Sequence, residues 1–284
     1  MTTRWYAEKD PFSPINYRYP KPKLLYSEKS KFQHIQVMET EFFGRMLVLD
    51  DVVQLTERDE FLYHEMLAHV PLHAHPRPSK ALVIGGGDGG TLREVLRHPT
   101  IKQATLVELD PKVVQVCKKY LPTVAVSFDS PRARVLHQDG AVFLRESGER
   151  FDAILVDSTD PVGPAKSLTT KAFFSAARDA LTPKGLFVMQ SESLHFHADL
   201  VTEMQETLRG VFPYVDLYAV PLATYAGNWW TFSIASKAPI ARAPVRAVLP
   251  DTRLYSDEMH RACFVPARAR ETLLAMGAGP YRRP

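Results

Sequence analysis

An acidic side chain lies inside a glycine-rich loop. Residues 85–90 read Gly-Gly-Gly-Asp-Gly-Gly, and they lie between a short apolar run at 82–84 and a segment with helical character from Thr91. A strand, a glycine turn and a helix N-terminus normally form an anion site, because free backbone N–H groups and the helix dipole favour negative charge. Asp88 already places a carboxylate there. The loop therefore favours a ligand with a positive charge over a phosphate.

Further carboxylates follow the next three predicted strands. Glu108 and Asp110 follow the second strand, Asp139 follows the third, and Asp157 and Asp160 follow the fourth. The carboxyl ends of parallel strands meet at one edge of a sheet, where ligands bind. Single aspartates at such positions often cap the next helix or turn. Several carboxylates at one edge would repel one another without a cationic ligand, so the pattern predicts an acidic site.

Glu108 lies about 20 residues beyond the glycine loop, where an acidic residue hydrogen-bonds ribose hydroxyls in nucleoside-binding folds. This spacing predicts a nucleoside ligand but is shared by nicotinamide enzymes and by enzymes that use adenosylmethionine. Asp88 lies where the pyrophosphate of a dinucleotide would approach. An adenosyl sulfonium carries a positive charge and no phosphate, and it fits the loop better.

Residues 157–164 read Asp-Ser-Thr-Asp-Pro-Val-Gly-Pro. Two carboxylates three residues apart, in a turn with two prolines and one glycine, suit a mobile lid over a cationic substrate. An amine attacks only as the neutral base, so a carboxylate within hydrogen-bond reach must accept its proton. Asp157 is the candidate for this role, and capping of the next turn is the structural alternative.

The rest of the chain predicts how these residues are positioned. Alternation over 32–38, 42–49 and 52–55 predicts a small antiparallel β domain, residues 1–58. From residue 59 the pattern is helical as far as Pro71, and 73–78 reads as a stiff linker. Strands then alternate with helices, which predicts a doubly wound, mostly parallel Rossmann-like α/β sheet over residues 59–284. The predicted strands are 81–84, 104–109, 134–138, 151–156 and 185–190, followed by an antiparallel pair at 215–220 and 231–236.

Composition excludes several classes of function. The net charge of 35 − 32 = +3 is too small to indicate nucleic acid or a membrane surface. Two cysteines make no disulfide framework, and no signal segment or apolar run of roughly 20 residues is evident, so we expect a soluble cytoplasmic protein. His64 and His69 are five residues apart and cannot share a helix face, and we expect no metal.

The motifs together resemble those of the polyamine aminopropyltransferases, the family of the spermidine synthases. The resemblance runs over nearly the whole chain and includes Gln33, residues 54–60, 63–66, 85–90, 107–110, 139–140 and 157–164, and Tyr225 before Trp229 and Trp230. It implies a class I methyltransferase-like fold and transfer of the aminopropyl group of decarboxylated S-adenosylmethionine to putrescine, giving spermidine and 5'-methylthioadenosine. The donor is a co-substrate, and no cofactor is implied. A homodimer or a homotetramer is expected.

The resemblance also implies residue roles. The adenosyl part of the donor is expected on Gln33, Glu108, Asp139, Gly140 and Pro164, with Glu108 on the ribose and Asp139 on the adenine. Asp88 is expected to bind the aminopropyl ammonium. The amine channel is expected to contain Tyr63, His64, Asp157, Asp160 and Tyr225, with Asp157 as the base. Gln54 and Gln190 match polar positions near this pocket.

Two other functions fit these residues less well. A methyltransferase must accommodate the carboxylate of intact adenosylmethionine, which Asp88 would repel by about 4 kcal/mol at roughly 4 Å and an effective dielectric constant of about 20. A catalytically silent polyamine-binding protein would not need Asp157, Asp160 and Tyr63 together with Asp88. An aminopropyltransferase with another amine acceptor is the alternative, since Trp230 occupies a position that is often smaller in the family. With Trp5, it could shorten the channel and favour putrescine over longer amines.

Overall fold

The computed structural model describes residues 5–8, 15–160 and 163–276, with side chains from residue 165 in the last range. Its N-terminal part is antiparallel. Strands β1 (Trp5–Ala7) and β2 (Arg18–Pro20) pair, and a four-stranded sheet follows with β3 (Lys23–Lys29), β4 (His34–Thr40), β5 (Gly44–Leu49) and β6 (Val52–Thr56) in that order. Asp50 and Asp51 join β5 to β6 with φ angles of 47° and 70°, the conformation that tight hairpins need.

Helix α1 (Glu60–Ala74) connects this sheet to the rest of the chain. The prediction that it ends at Pro71 is wrong. A proline inside a helix costs about 3 kcal/mol, because a backbone hydrogen bond is lost and the ring clashes with the preceding turn. Nearly every side chain of α1 is buried, on all sides of the helix. Packing along its full length outweighs the cost of Pro71.

The larger part of the chain alternates strands and helices. Its elements are β7 (Lys80–Gly85), α2 (Gly90–Arg97), β8 (Gln103–Glu108), α3 (Pro111–Tyr120), β9 (Ala133–His137), α4 (Gly140–Glu146), β10 (Phe151–Asp157), α5 (Lys171–Ala180), β11 (Leu181–Ser193), α6 (Ala198–Arg209), β12 (Tyr214–Pro221), β13 (Trp229–Ser236), α7 (Asp257–Ala262) and α8 (Ala267–Met276). Short 3-10 helices occupy Ala125–Ser127 and Gly163–Thr169.

The strands of this part form one sheet in the order β12-β13-β11-β10-β7-β8-β9. Strands β7 to β11 are parallel, and β13 runs antiparallel to both of its neighbours. One face packs against α1, α2 and α3, and the other against α4, α5 and α6. The predicted doubly wound, class I methyltransferase-like fold is confirmed. Chain order reverses between β7 and β10, so a ligand crevice is expected at their carboxyl ends.

Candidate active site

The glycine loop closes tightly on the end of β10. The N–H of Gly86 donates to the carbonyl oxygen of Asp157 at 2.8 Å. Gly85 has φ +81°, and a Cβ there would lie 2.1 Å from the same carbonyl oxygen. Only glycine permits this approach. The loop that carries Asp88 and the strand end that carries Asp157 are therefore held against each other.

Asp157 sits at the bottom of a cavity with both carboxylate oxygens engaged. The Tyr63 hydroxyl donates to Oδ1 at 2.9 Å, and the Thr91 hydroxyl donates to Oδ2 at 2.5 Å. Burial, and then the negative charge of Asp88, raise the pKa of Asp157 to about 6. Such a carboxylate is ionised at neutral pH and is more basic than an ordinary aspartate.

Asp88 lies beside a histidine of helix α1. Its Oδ1 accepts the N–H of Gly90 at 2.7 Å and lies 3.3 Å from Nε2 of His64. Nδ1 of His64 lies 2.5 Å from Oε2 of Glu60. Burial disfavours a charged imidazole, yet the two carboxylates raise the pKa of His64 to about 10. Burial also opposes ionisation of Asp88, but the charge and hydrogen bond of His64 outweigh it and lower the pKa of Asp88.

Glu108 and Gln33 meet at the other end of the crevice through Asp110. The N–H of Asp110 donates to Oε1 of Glu108 at 2.8 Å, and Oδ2 of Asp110 accepts from Gln33 Nε2 at 3.1 Å and from Ser30 at 2.6 Å. Oδ1 of Asp110 caps helix α3. Burial raises the pKa of Glu108 to about 7, and the nearby carboxylates act in the same direction. Asp110 thus links the N-terminal sheet to the end of β8.

Asp139 combines the capping role with a place in the cavity wall. Its Oδ1 accepts the N–H groups of Ala141 and Val142 at 2.8 and 3.0 Å, which caps helix α4. The next residue, Gly140, packs so closely that a Cβ there would lie 2.3 Å from Cγ2 of Ile84. Close packing on Ile84 therefore requires glycine at this point of the cavity wall.

Aromatic rings form one end of the cavity. The Tyr225 hydroxyl donates to the carbonyl oxygen of Gln54, and its ring lies 5.9 Å from Tyr63 and 4.6 Å from Trp230. Burial, and then the charge of Asp157, raise the pKa of both tyrosines, so both phenols stay protonated. Trp230 lines the cavity as expected, whereas Trp5 lies on strand β1 and does not line it.

These side chains share one cavity of about 490 Å³ between the N-terminal sheet and the parallel sheet. All predicted site residues with described side chains line it: Gln33, Tyr63, His64, Asp88, Glu108, Asp139, Gly140, Asp157, Asp160 and Tyr225. Gln54 and Gln190 line it as well. Pro164 lies outside the described side chains. The predicted residues are together, and their individual roles remain predictions.

Sequence reasoning missed four ionisable residues of the cavity wall: Glu8, Asp50, Glu192 and His197. Glu192 is buried, has φ +67° and lies 3.3 Å from Gln190 Nε2 and 3.5 Å from His197 Nδ1. It is the second-last residue of β11, the fifth parallel strand, so the strand-end rule that singled out Asp157 could have found it. Strand β11 runs three residues beyond its predicted end, which hid this position. No comparable signal marks Glu8.

A buried histidine cluster lies away from this cavity. His69 and His73 are four residues apart on α1, a pair that sequence reasoning overlooked, and His98 follows α2. Arginine can only donate, so the Arg246 contact at 2.5 Å makes His98 Nδ1 an acceptor. His98 Nε2 then donates to His69 Nδ1 at 2.9 Å, and His69 Nε2 donates to Glu94 at 3.1 Å. This chain engages both nitrogens of His69 and His98, an arrangement that disfavours a metal.

Among the described helices, none combines the length and apolar character needed to cross a bilayer.

A doubly wound sheet with an acidic, nucleoside-sized cavity at its switch point defines a class I methyltransferase-like transferase. Residues 60–244 match the family model of the spermine/spermidine synthase domain, and residues 4–57 match the spermidine synthase tetramerisation domain. The chain belongs to the spermine/spermidine synthase family, the polyamine aminopropyltransferases.

Similar proteins cover nearly the whole chain. A polyamine aminopropyltransferase 1 of Aquifex aeolicus (strain VF5) is 53% identical over 261 residues, which are 92% of this chain and 93% of the relative. A polyamine aminopropyltransferase of Bacillus subtilis (strain 168) is 43% identical over 93% of this chain and 96% of its own length. A crystal structure of spermidine synthase in complex with the transition-state analogue AdoDATO superposes with a TM-score of 0.91 at 35% identity, covering 97% of this chain and 96% of that one. The spermidine synthase of Thermotoga maritima gives 0.90 at 34% identity, with the same coverage.

Proposed function

We propose that the protein transfers the aminopropyl group of decarboxylated S-adenosylmethionine to putrescine, forming spermidine and 5'-methylthioadenosine. The observation that carries this proposal is that Asp88 and Asp157 lie close together beside the glycine loop with different electrostatics. His64 keeps Asp88 ionised, whereas the pKa of Asp157 is raised to about 6. One carboxylate suits a fixed positive charge, and the other suits acceptance of a proton.

The donor extends from the ribose end of the cavity to Asp88. Glu108 binds the ribose hydroxyls, Asp139 contacts the adenine, and Asp88 binds the ammonium of the aminopropyl group. Gln33 and Gly140 contact the adenosyl part, and Pro164 is assigned to the adenosyl part by resemblance alone. The similarity to a spermidine synthase structure in complex with the transition-state analogue AdoDATO, at a TM-score of 0.91, supports binding of the donor by this fold.

The acceptor occupies the aromatic end. Tyr63, Tyr225 and Trp230 give an apolar channel, and carboxylates lie along it. Asp157, with His64 and Asp160 nearby, receives the reacting nitrogen. A diamine also carries a second ammonium, and Glu192 supplies a carboxylate for that end. Trp230 narrows the channel, which favours putrescine over longer amines.

The reaction is an in-line displacement. The neutral nitrogen of the acceptor attacks the methylene carbon next to sulfur, the carbon–sulfur bond breaks, and its electron pair makes the thioether of 5'-methylthioadenosine. The nitrogen's proton passes to Asp157. The pKa of a free alkylammonium, near 10.4, is about 4 units above that of Asp157, so transfer of the proton to Asp157 costs about 6 kcal/mol. Burial of the amine disfavours its charged form and narrows this gap, so positioning of the nitrogen beside Asp157 in the closed cavity contributes directly to rate.

Asp88 also selects the donor. Intact adenosylmethionine would place a carboxylate near Asp88, and the like-charge contact of about 4 kcal/mol corresponds to roughly a thousandfold loss of affinity. The same argument disfavours methyl transfer by this site.

Acceptor choice is tested with decarboxylated donor and purified protein, by comparing kcat/KM for putrescine, cadaverine and spermidine through methylthioadenosine release. We expect putrescine to lead by at least about tenfold. Equal kcat/KM for putrescine and spermidine would contradict the channel argument. If none of the three amines gives methylthioadenosine release, while donor binding is intact, the protein is a silent binding protein.

We further infer that the protein forms an oligomer, a homodimer or a homotetramer, through its N-terminal sheet. The match of residues 4–57 to a tetramerisation domain supports this inference. Light scattering would measure the molar mass, and a mass near 32 kDa would contradict it.

A further inference from the structure

His64 lies between two carboxylates that come from different elements. Its Nε2 lies 3.3 Å from Asp88 in the glycine loop, and its Nδ1 lies 2.5 Å from Glu60, one turn earlier on α1. A carboxylate only accepts hydrogen bonds, so an imidazole that serves both must carry a proton on each nitrogen. The His64 side chain is 3% exposed, and that of Glu60 is 7% exposed. The charge on His64 therefore depends on one buried partner, Glu60, and one partly buried partner, Asp88, whose side chain is 14% exposed.

Glu60 is itself held by an arginine of α2. Arg93 Nη1 donates to Oε1 of Glu60 at 3.0 Å, and Nη2 donates to Oε2 at 2.9 Å. This two-point pairing fixes both the place and the plane of the carboxylate. On its other side, Arg93 Nε donates to Glu94 at 2.7 Å. The Glu60 carboxylate thus has one fixed orientation toward His64.

The imidazole has no room to turn away from Asp88. A Cβ on Gly90, the first residue of α2, would lie 2.3 Å from the ring of His64. The His64 ring, which belongs to α1, packs against the first residue of α2. The residues that face it are Glu60 on its own helix, Asp88 in the loop, Arg93 on α2 and Asp157 at the end of β10.

We propose that Glu60 is a positioning residue for donor binding: through His64 it keeps Asp88 ionised and directed into the cavity, and Arg93 holds Glu60 for this purpose. The inference rests on the proposed function, in which Asp88 binds the donor's ammonium. Without the charge of Glu60, His64 loses its proton at lower pH. Asp88 then loses its counter-charge, and a buried carboxylate without one takes up a proton. A protonated Asp88 binds an ammonium weakly.

The test compares Glu60→Gln with Glu94→Gln, each of which removes one carboxylate that pairs with Arg93. Only Glu60 touches His64, so Glu94→Gln is the matched control. Two quantities are measured: KM for decarboxylated donor with kcat at pH 7.5, and the ¹⁵N imidazole shifts of His64 from pH 6 to 10. Circular dichroism monitors folding.

For Glu60→Gln we expect His64 to titrate about three pH units lower, at about pH 7 or below, so that most of it is neutral at pH 7.5. Donor KM should then rise about fourfold or more, with kcat within about threefold. For Glu94→Gln both measurements should match the unaltered protein. Wild-type donor KM and wild-type His64 titration in Glu60→Gln would overturn the proposal. So would equal changes in both variants, because these would indicate a structural role only.

Two further variants keep the test decisive. If Glu60→Gln fails to fold, Arg93→Lys keeps the charge but loses the two-point geometry, and donor KM should rise about threefold; an unchanged donor KM would then overturn the proposal. Asp88→Asn distinguishes failure of the proposed role of Asp88 from failure of the proposed role of Glu60. If Asp88→Asn leaves donor KM unchanged, the assignment of Asp88 in the proposed function is wrong. If Asp88→Asn raises donor KM and Glu60→Gln does not, only the role of Glu60 is wrong.

Discussion

Replacement of Asp157 by asparagine tests the base directly. The amide keeps an oxygen that can accept the Tyr63 hydroxyl, now bonded at 2.9 Å, and it fills nearly the same volume. It cannot accept the proton of the acceptor amine. A positioned general base contributes about 10² to 10⁴ in rate, so kcat should fall by that factor, equivalent to about 3 to 5.5 kcal/mol. Affinity for the donor should change by no more than about threefold.

The pH dependence gives this variant a signature that misfolding would not produce. In the unaltered protein, kcat should be nearly level above about pH 7, because Asp157 has a pKa of about 6 and is already ionised. In Asp157→Asn, solvent must remove the amine's proton, so kcat should rise about tenfold per pH unit toward the pKa of the free amine. Methylthioadenosine release at saturating donor, from pH 6.5 to 9.5, measures both profiles. Activity within a few-fold of the unaltered protein, or a level profile in the variant, would refute Asp157 as the base.

Three further predictions concern pH, selectivity and folding. The kcat/KM for the donor should fall as the pH drops through 7 and then 6. Glu108 and Asp157, with pKa values of about 7 and about 6, take up protons in that order and lose the charges that the site uses. A kcat/KM that stays level down to pH 5 would contradict this. Asp88→Asn should raise the Kd for decarboxylated donor at least about tenfold and narrow its advantage over intact adenosylmethionine, measured by calorimetry with both donors; equal losses for the two would count against Asp88 as the selective group. Gly85→Ala should lower the free energy of unfolding by about 3 kcal/mol or more, because at φ +81° a Cβ would lie 2.1 Å from the Asp157 carbonyl oxygen. Gly148→Ala, with φ +65° and open space around it, should lose only about 1 kcal/mol. Denaturant titrations measure both, and similar losses in the two variants would show that the close approach is unimportant.

The parallel sheet and most of the cavity could be predicted because both follow from short-range patterns. Apolar runs of strand length, each followed by a helix, predict the doubly wound sheet, and the strand-end rule then places Asp88, Glu108, Asp139 and Asp157 side by side. The same rule would have reached Glu192 if the end of β11 had been located correctly.

Other features depend on tertiary packing that no local pattern reports. Strand β3 was not predicted because most of its side chains are exposed and it lacks apolar alternation. Pro71 stays inside α1 because the helix is buried on all sides. Glu60 and Arg93 are 33 residues apart in the chain, and only the packing of α1 on α2 brings them together at His64.

Aminopropyl transfer with deprotonation by Asp157 is tested by the molar ratio of the two products. Purified protein is incubated with decarboxylated S-adenosylmethionine and ¹⁵N-labelled putrescine, and both products are quantified by mass spectrometry. We expect one labelled spermidine for each 5'-methylthioadenosine, and at least about a hundredfold less of both products with Asp157→Asn. With intact adenosylmethionine as the donor, we expect no methylated amine. Methylated putrescine from intact adenosylmethionine, or methylthioadenosine without labelled spermidine, would contradict it.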